Sequence, residues 1–252
     1  MLEMESRAFV YPIDPESRND ILSIDRRTKE DVRVLYRFYM NSDWECNTIT
    51  NMLVEAMLKV LYSHIQNHGV SILTDEDDNT LNFYDLMELT ASNKKNDNAE
   101  KTGNINIKFS PGKEVDLIIN DNGDDGDVEP IDPGAAFIYP EDDQRTGAMK
   151  KLDSIARQML KEKYGIILPK DWQSIAVGAT FLTNIYKHLI AKLVASDKKS
   201  VMINFNDLIE FHAQKEGDGA KVFLRPGMGA KLIIKSDEST EADDDDSDDE
   251  YA

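Results

Sequence analysis

Apolar residues recur at steps of three and four along two stretches of the first half of the chain, a spacing typical of amphipathic helices. The first stretch follows Thr28-Lys29-Glu30-Asp31, which has the composition of a helix N-terminus. The second begins at Asn47 or Thr48 and should stop near His68-Gly69, because glycine is favoured just past a helix end. The apolar positions are Val32, Leu35, Tyr36 and Tyr39 in the first helix, and Met52, Leu53, Met57, Val60, Leu61 and Ile65 in the second.

Shorter segments follow these helices and predict strands over residues 70–73, 81–89 and 105–109. The same order returns later, with helices predicted over 146–164 and from 170 or 171 to 195, and strands over 200–211 and 221–224. The last of these helices has a broad apolar stripe, which we interpret as core or as a dimer interface. Two helices followed by a small antiparallel sheet, twice over, predict an α+β fold.

Three short motifs occur twice in the same order, which indicates a tandem duplication. The spacing between the copies falls from 128 to 122 to 115 residues along the chain. The pairs are Ala8-Phe9-Val10-Tyr11-Pro12 with Ala136-Phe137-Ile138-Tyr139-Pro140, Asn82-Phe83-Tyr84-Asp85 with Asn204-Phe205-Asn206-Asp207, and Pro111-Gly112 with Pro226-Gly227.

These patterns predict five segments in a chain of 252 residues with 40% hydrophobic content, enough for a core in each of two domains of about 100 residues. Residues 1–27 contain two prolines and no helical period, which predicts an extended N-terminal arm. The remaining segments are a first domain over 28–120, an acidic linker with an aromatic segment over 121–145, a second domain over 146–235 and an acidic tail over 236–252. The 241–250 run is too acidic to fold alone and is predicted to be disordered when free.

The formal net charge of -19 is concentrated in two segments. Ten acids and no base lie between Ser236 and Ala252, and nine acids and no base lie between Asp121 and Gln144. The rest of the chain is close to neutral, which is a poor footprint for a nucleic-acid-binding protein. No apolar run approaches the roughly 20 residues of a membrane helix, and the N-terminus lacks signal-peptide features, so we expect no membrane association.

Motifs for catalysis or metal binding are weak. A single cysteine, Cys46, excludes an internal disulfide framework, and His64 with His68 lacks a third ligand nearby. The segment from Asp121 to Asp132 approaches the calcium-loop pattern, but Gly123 stands where an oxygen ligand is needed, so a solvated acidic linker is favoured. We find no catalytic triad order, phosphate loop or zinc-protease motif, and therefore expect no enzyme, no catalytic residue, no metal and no cofactor.

The helical pairs and repeated motifs resemble the HU/IHF family of histone-like DNA-bending proteins, over residues 28–120 and 146–235. The likeness is to that family's helical pair, its Gly-Phe-Gly-centred hairpin and its Phe-x-Pro-Gly-Lys step. Phe83 and Phe205 match the hairpin aromatic, with Asn where the family usually has Gly. Pro111 with Gly112 matches the second motif well, and Pro226 with Gly227 matches it in part. The resemblance implies two tandem HU/IHF-like domains, each with two helices and a small antiparallel sheet.

The chain departs from this family where the family grips DNA. The family's long basic arms carry cations and a proline wedge, and insert into the minor groove. The matching segments, 90–106 and 212–221, contain neither proline nor arginine, and the second is short and carries two acids. DNA binding is therefore doubtful on these grounds.

The aromatic segment before each helical pair is a candidate docking element. Phe9, Tyr11, Phe137 and Tyr139 lie in stretches otherwise too polar to bury themselves. They could pack on their own domain or add a strand to the sheet edge of a neighbour, and the sequence favours neither. It also leaves open whether the two domains pair within one chain or between chains.

The acidic balance, shortened arms and duplication resemble the IHF-like proteins of the tail and neck region in crAss-like bacteriophages. This resemblance implies a non-enzymatic structural protein that forms a homo-oligomeric ring in the virion, is assembled in the host cytoplasm, and contacts portal or tail components. The alternative is a nucleoid or accessory DNA-binding protein of the cytoplasm, regulated by its acidic tail. A DNA mimic fits the charge, but a mimic would order its acids on a folded surface.

Overall fold

The computed structural model describes residues 11–41, 44–67, 80–93, 105–120, 143–169, 173–217 and 219–238. Within these ranges the chain forms two units, each in the order helix, helix, three strands, helix. The first unit comprises α1 (Pro15–Tyr36), α2 (Cys46–Asn67), β1 (Thr80–Phe83), β2 (Met87–Asn93), β3 (Ile105–Pro111) and α3 (Glu114–Asn120). The second unit comprises α4 (Asp143–Tyr164), α5 (Ser174–Ala195), β4 (Ser200–Phe205), β5 (Ile209–Glu216), β6 (Gly219–Pro226) and α6 (Met228–Glu238).

Each unit contains a three-stranded antiparallel sheet, in the order β1-β2-β3 or β4-β5-β6. Phe83 pairs with Met87 in the first sheet, and Phe205 pairs with Ile209 at the equivalent place in the second. In both units the second helix packs on the first two strands and covers one face of the sheet. The α+β class predicted from the sequence is therefore confirmed.

The first helix begins at Pro15, so the predicted extended arm over residues 1–27 and the domain boundary at residue 28 are wrong. Asp14 Oδ2 accepts a hydrogen bond from the Ser17 backbone N–H at 2.8 Å. Proline suits the first turn, because the N–H that it lacks would have no partner inside the helix. The helical period is masked in the sequence because three buried positions of α1, Ser17, Asp25 and Thr28, are polar.

Other predicted boundaries need smaller corrections. α1 ends at Tyr36, and Tyr39, predicted on its apolar face, lies beyond the helix and is 76% exposed. α4 includes residues 143–145 of the predicted linker, and α6 includes residues 236–238 of the predicted tail. The short helices α3 and α6 were not predicted. The predicted strand over 70–73 and the predicted disorder over 241–250 lie outside the described residues.

The two units share one hydrophobic core. The sequence had instead predicted a core in each of two domains. The first helix of each unit packs on the second helix of the other, α1 on α5 and α4 on α2. The closing helices also cross over, α3 onto α5 and α6 onto α2, and the edge strands β3 and β6 contact each other. The units therefore pair within one chain as an intertwined pseudo-dimer.

An aspartate in the first helix of each unit holds the start of the second helix. Asp25 Oδ1 accepts the backbone N–H of Asn47 at 2.8 Å, and Asp153 Oδ1 accepts that of Ser174 at 2.6 Å. Both carboxylates satisfy an N–H group that has no partner within its helix, and both complement the positive end of the helix dipole. The two aspartates are 128 residues apart, so this contact is present in both copies of the duplication.

The repeated Asn-Phe motifs form tight turns between the first two strands of each sheet. The side chain and backbone of Asp85 exchange two hydrogen bonds with Asn82, both at 2.9 Å, and Asp207 does the same with Asn204 at 2.8 Å. The two central residues of each turn have φ between 50° and 59°, as in the type I′ turns that favour hairpins. The motif aromatics, Phe83 and Phe205, are fully buried beside these turns.

The Pro-Gly motifs pack directly on these turns. The Gly112 N–H donates to the Leu86 carbonyl at 3.2 Å, and the Gly227 N–H donates to the Leu208 carbonyl at 2.9 Å. A Cβ at either glycine would lie 2.0 Å or less from a backbone oxygen of the turn. Only glycine permits this approach. Pro111 and Pro226, which directly precede these glycines, are the last residues of the third strand of each sheet.

Replacing Gly227 by alanine should destabilise the protein by about 1–3 kcal/mol. The new Cβ would lie 1.9 Å from the Asp207 carbonyl oxygen, a backbone atom that cannot move without opening the turn. Gly147→Ala is the matched control, because nothing lies within 4 Å of its Cβ and alanine favours the helix there by about 0.5–1 kcal/mol. Urea unfolding followed by circular dichroism measures both, and equal midpoints would contradict this role for Gly227.

Candidate docking surfaces

Tyr11 is the one predicted docking residue that lies within the described part of the chain; Phe9, Phe137 and Tyr139 lie outside it. Its ring packs against the core, with the Arg18 guanidinium 5.4 Å from the ring centroid, and its hydroxyl donates a hydrogen bond to the Glu45 carboxylate. Burial, and then the hydrogen bond and charge of Glu45, raise the pKa of Tyr11 well above its ordinary value. Tyr11 therefore contacts its own fold, which is one of the two roles that the sequence left open.

The second sheet carries a ladder of side chains across its face opposite the helices. Met202, His212 and Phe223 pair across β4, β5 and β6. The His212 and Phe223 rings are stacked, with centroids 4.8 Å apart and an interplanar angle of 4°. The Arg225 guanidinium lies 5.2 Å from the Phe223 centroid, and His212 Nε2 lies 3.1 Å from Glu210 Oε2. We call Met202, His212, Phe223 and Arg225 the sheet ladder.

The first sheet has different chemistry at the corresponding positions. In the same register it places Thr80, Thr90 and Lys108 across β1, β2 and β3. On the second sheet Met202 is 39% exposed and Arg225 is exposed, so the sheet ladder presents apolar, aromatic and cationic groups together. Such groups are typical of protein interfaces, where an arginine can also bind a partner's carboxylate.

The second hairpin is short. β5 and β6 are joined by residues 217 and 218 alone, and their pairing runs to Glu216 opposite Gly219. Lys221, one of the few cations of this hairpin, lies 4.0 Å from the Glu216 carboxylate. In the first unit the described pairing runs to Asn93 opposite Ile105, and residues 94–104 lie outside the described residues. The second unit thus has no long arm beyond its sheet.

The requirements of a metal site and of a reactive thiol can also be compared with the described residues. Within them, no three His, Cys, Asp or Glu side chains come together in a way that could hold a metal ion. The candidate calcium loop over 121–132 and His68 lie outside the described residues, as does the side chain of His64. Cys46 is fully buried, and burial, with the nearby charge of Asp25, raises the pKa of its thiol well above the usual value. The reactive thiolate is therefore disfavoured.

A group of polar residues that the sequence did not predict is buried between the two units. The group comprises Asn47, Asn51 and Asn206 in one cluster, and Thr28 and Asn184 in another. Asn206 lies in a repeated motif, but at the one position where the copies differ, with Tyr84 as its equivalent. No motif contains the other four residues, which also differ between the copies. The buried polar residues of the helices could have been found by aligning the two copies at the offset of 128 residues that relates their helices. The signal is a polar residue in one copy opposite an apolar residue in the other.

Comparison with known proteins adds no relative: no family model, no curated protein and no solved structure matches the chain. Across the described ranges, none of the helices is both long enough and apolar enough to span a bilayer. The motifs, the pairing of the units and the surfaces described above are therefore what a functional proposal has to rest on.

Cys46 should react with a thiol reagent at least about a hundredfold more slowly in the native protein than in urea, because it is buried and its thiolate is disfavoured. Absorbance after addition of Ellman's reagent at pH 8 measures both rates. A Cys46→Ala, Ser154→Cys variant is the control, because Ser154 is exposed on α4 and its thiol should react at similar rates in both conditions. Rapid labelling of native Cys46 would contradict this burial.

Proposed function

We propose that this chain is a non-enzymatic structural protein made of two HU/IHF-like units, and that it forms an oligomeric ring in the neck or tail of a tailed-phage virion. The observation that carries the proposal is the second hairpin, which ends in a connection of two residues, 217 and 218. A DNA-bending protein of this type needs two extended basic arms. A pseudo-dimer with at most one such arm is suited to another role.

The HU/IHF-like assignment draws on the placement of the repeated motifs. In both units the aromatic of the first motif, Phe83 or Phe205, is buried beside a turn between strands. In both units the glycine of the second motif, Gly112 or Gly227, packs on that turn. The intertwined pairing also fits a family whose members act as dimers.

Ring assembly is supported by the inequivalence of the two halves. A ring forms when one patch on a subunit binds a different patch on its neighbour. The sheet ladder occurs on the second sheet, whereas the first sheet has Thr80, Thr90 and Lys108 in the same places. This chain therefore has an asymmetric pair of faces suited to head-to-tail contacts. Its partners would be further copies of the chain and portal or tail components of the virion.

Binding of duplex DNA is the second candidate, because one chain supplies both halves of a pseudo-dimer. Charge weighs against it: the described residues carry 24 Lys and Arg against 21 Asp and Glu, close to neutral. A surplus of cations is what gives a DNA-binding protein its affinity. In this alternative the acidic tail would mask the surface until it is displaced.

A DNA titration distinguishes these two functions. The full chain and a chain that ends at Glu238, the last residue of α6, are titrated with labelled duplex DNA at low and near-physiological salt. The structural proposal predicts no binding by either form, because the described residues are near neutral. Binding by the shorter form with a steep salt dependence would favour the DNA-binding alternative.

Assembly is tested on the same full-length protein. Mass photometry at increasing concentration, followed by negative-stain imaging, should show closed oligomers of one size. His212→Ser with Phe223→Ser removes half of the sheet ladder, and Thr90→Ser with Lys108→Ser changes the corresponding first-sheet positions as the matched control. Rings that form equally well in both variants would exclude the sheet ladder as the contact. A protein that stays monomeric at all concentrations and with virion partners would contradict ring assembly.

A further inference from the structure

The pseudo-dimer has two equivalent sets of contacts between its units, which can be compared residue by residue. α1 on α5 corresponds to α4 on α2, and the helices of the two units are related by an offset of 128 residues. The hairpin turn of each unit also contacts the second helix of the other: Tyr186 of α5 donates to the Leu86 carbonyl at 2.7 Å, and Asn206 reaches α2. Differences between equivalent contacts therefore show how the units recognise each other.

The first difference is a cluster of three asparagines. Asn206, in the turn of the second unit, donates through Nδ2 to Asn47 Oδ1 at 2.8 Å and to Asn51 Oδ1 at 3.1 Å. All three residues are at least nine-tenths buried. A buried amide that loses a hydrogen-bond partner costs free energy, so each member of this cluster depends on the others.

The equivalent positions in the other half are aromatic or apolar. Tyr84 stands where the second unit has Asn206, and it has the same left-handed backbone, with φ of 53° against 50°. Ile175 and Ala179 of α5 stand where α2 has Asn47 and Asn51. Ile175 is fully buried. One turn is thus matched to a polar helix face and the other to an apolar one.

The second difference lies between the helices. Asn184 of α5, 2% exposed, donates through Nδ2 to Thr28 Oγ1 at 3.1 Å and to Asp31 Oδ2 at 2.7 Å, both on α1. In the equivalent contact of α2 with α4, the corresponding residues are Ala56, Ala156 and Met159, all buried. Here too a polar contact in one half is replaced by an apolar contact in the other.

Ion pairs at the edges of these contacts differ in the same way. Lys192 of α5 lies 2.6 Å from Asp20 and 2.9 Å from Glu16 of α1. In the other half, Lys163 of α4 lies 2.7 Å from Glu55 of α2. Gln144 and Ala148 stand at the positions equivalent to Glu16 and Asp20, so the first ion pair has no counterpart. Leu35 and Thr183 stand at the positions equivalent to Lys163 and Glu55, so the second has none either.

We propose that the two units are obligate partners of different kinds: the first unit pairs with the second, and neither pairs with a copy of itself. Two copies of the second unit would place Asn206 against Ile175 and Ala179, and Asn184 against Ala156 and Met159. Two copies of the first would place Tyr84 against Asn47 and Asn51. Every such pairing leaves buried amides without partners, which is a common way for proteins to exclude wrong partners. The chain therefore closes on itself as an asymmetric block, whatever that block assembles into.

The test uses the full chain with a protease site inserted between residues 121 and 142 and cleaved after folding. The nicked protein is unfolded in urea, refolded and analysed by native mass spectrometry, which separates mixed pairs from like pairs by mass. We expect like pairs to be at least about tenfold rarer than in random pairing. Like pairs at the random proportion would overturn the proposal.

A variant of the first unit should lose this selectivity. Thr28→Ala, Asp31→Met, Asn47→Ile and Asn51→Ala each introduce the residue found at the equivalent position of the second unit. Like pairs of the first unit should then increase at least about tenfold, since no buried amide or carboxylate is left unpaired between them. Arg26→Ser, Glu30→Gln and Arg33→Lys make the same kind of exchange at exposed positions and should change nothing.

Thermal unfolding of the intact chain tests the asparagine cluster without any cleavage. Asn206→Tyr alone, and Asn47→Ile with Asn51→Ala, should each lower the melting temperature by several degrees, on the order expected for an unpaired buried amide. The triple variant has at these three positions the residues found at the equivalent positions of the other half, and should recover most of the loss. Losses that simply add in the triple variant would overturn the proposal.

Discussion

The packing of α2 and α5 in the centre of the molecule is the interaction on which the rest of the structure depends. Fourteen of the 22 residues of α5 are buried, more than the single apolar face of a surface helix provides. α5 buries this surface only because its own sheet covers one side, and α1, α2 and α3 of the other unit cover the rest. A unit by itself would expose a large part of its central helix, and each buried Leu, Ile or Phe contributes about 1.5–3 kcal/mol. The duplication therefore made a fold that neither copy completes alone.

Two kinds of contact differ in how far they are shared by the two copies of the duplication. Contacts that shape the backbone are present in both units: the aspartate at the start of the second helix, the Asn-Asp turn and the glycine that packs on it. Contacts that join the units have diverged, as Asn206 and Tyr84 illustrate. Backbone geometry allows few solutions at a tight turn, whereas the side chains of an interface can change together as long as their polarity matches. The resulting block has two different faces, and this asymmetry connects its internal pairing to the proposed ring.

The sequence predicted elements well where one face of a helix or strand is apolar and its ends carry clear signals. The end of α2 near Gly69 and the α+β class are examples. The prediction failed for the first half of α1, because the polar residues Ser17 and Asp25 occupy buried positions there and interrupt the apolar period. Asp25 is tolerated there because its partners, the start of α2 and Lys29, come from outside its own turn. The sequence did not predict any member of the sheet ladder as a candidate site residue, because cross-strand stacking depends on the register of the strands.

What the sequence determined by itself is local or repetitive: the duplication, the class of fold, the Asn-Phe and Pro-Gly motifs and the position of the negative charge. The motifs and the fold class follow from the spacing of residue types over short segments. The duplication and the position of the charge can be read directly from the sequence. Only the tertiary structure decided that the two units exchange helices within one chain, that Tyr11 contacts Glu45, and that Asn184 and Asn206 are buried between the units. These contacts join residues 34 to 159 positions apart, and their polarity is favourable only because the folded chain supplies the matching partner.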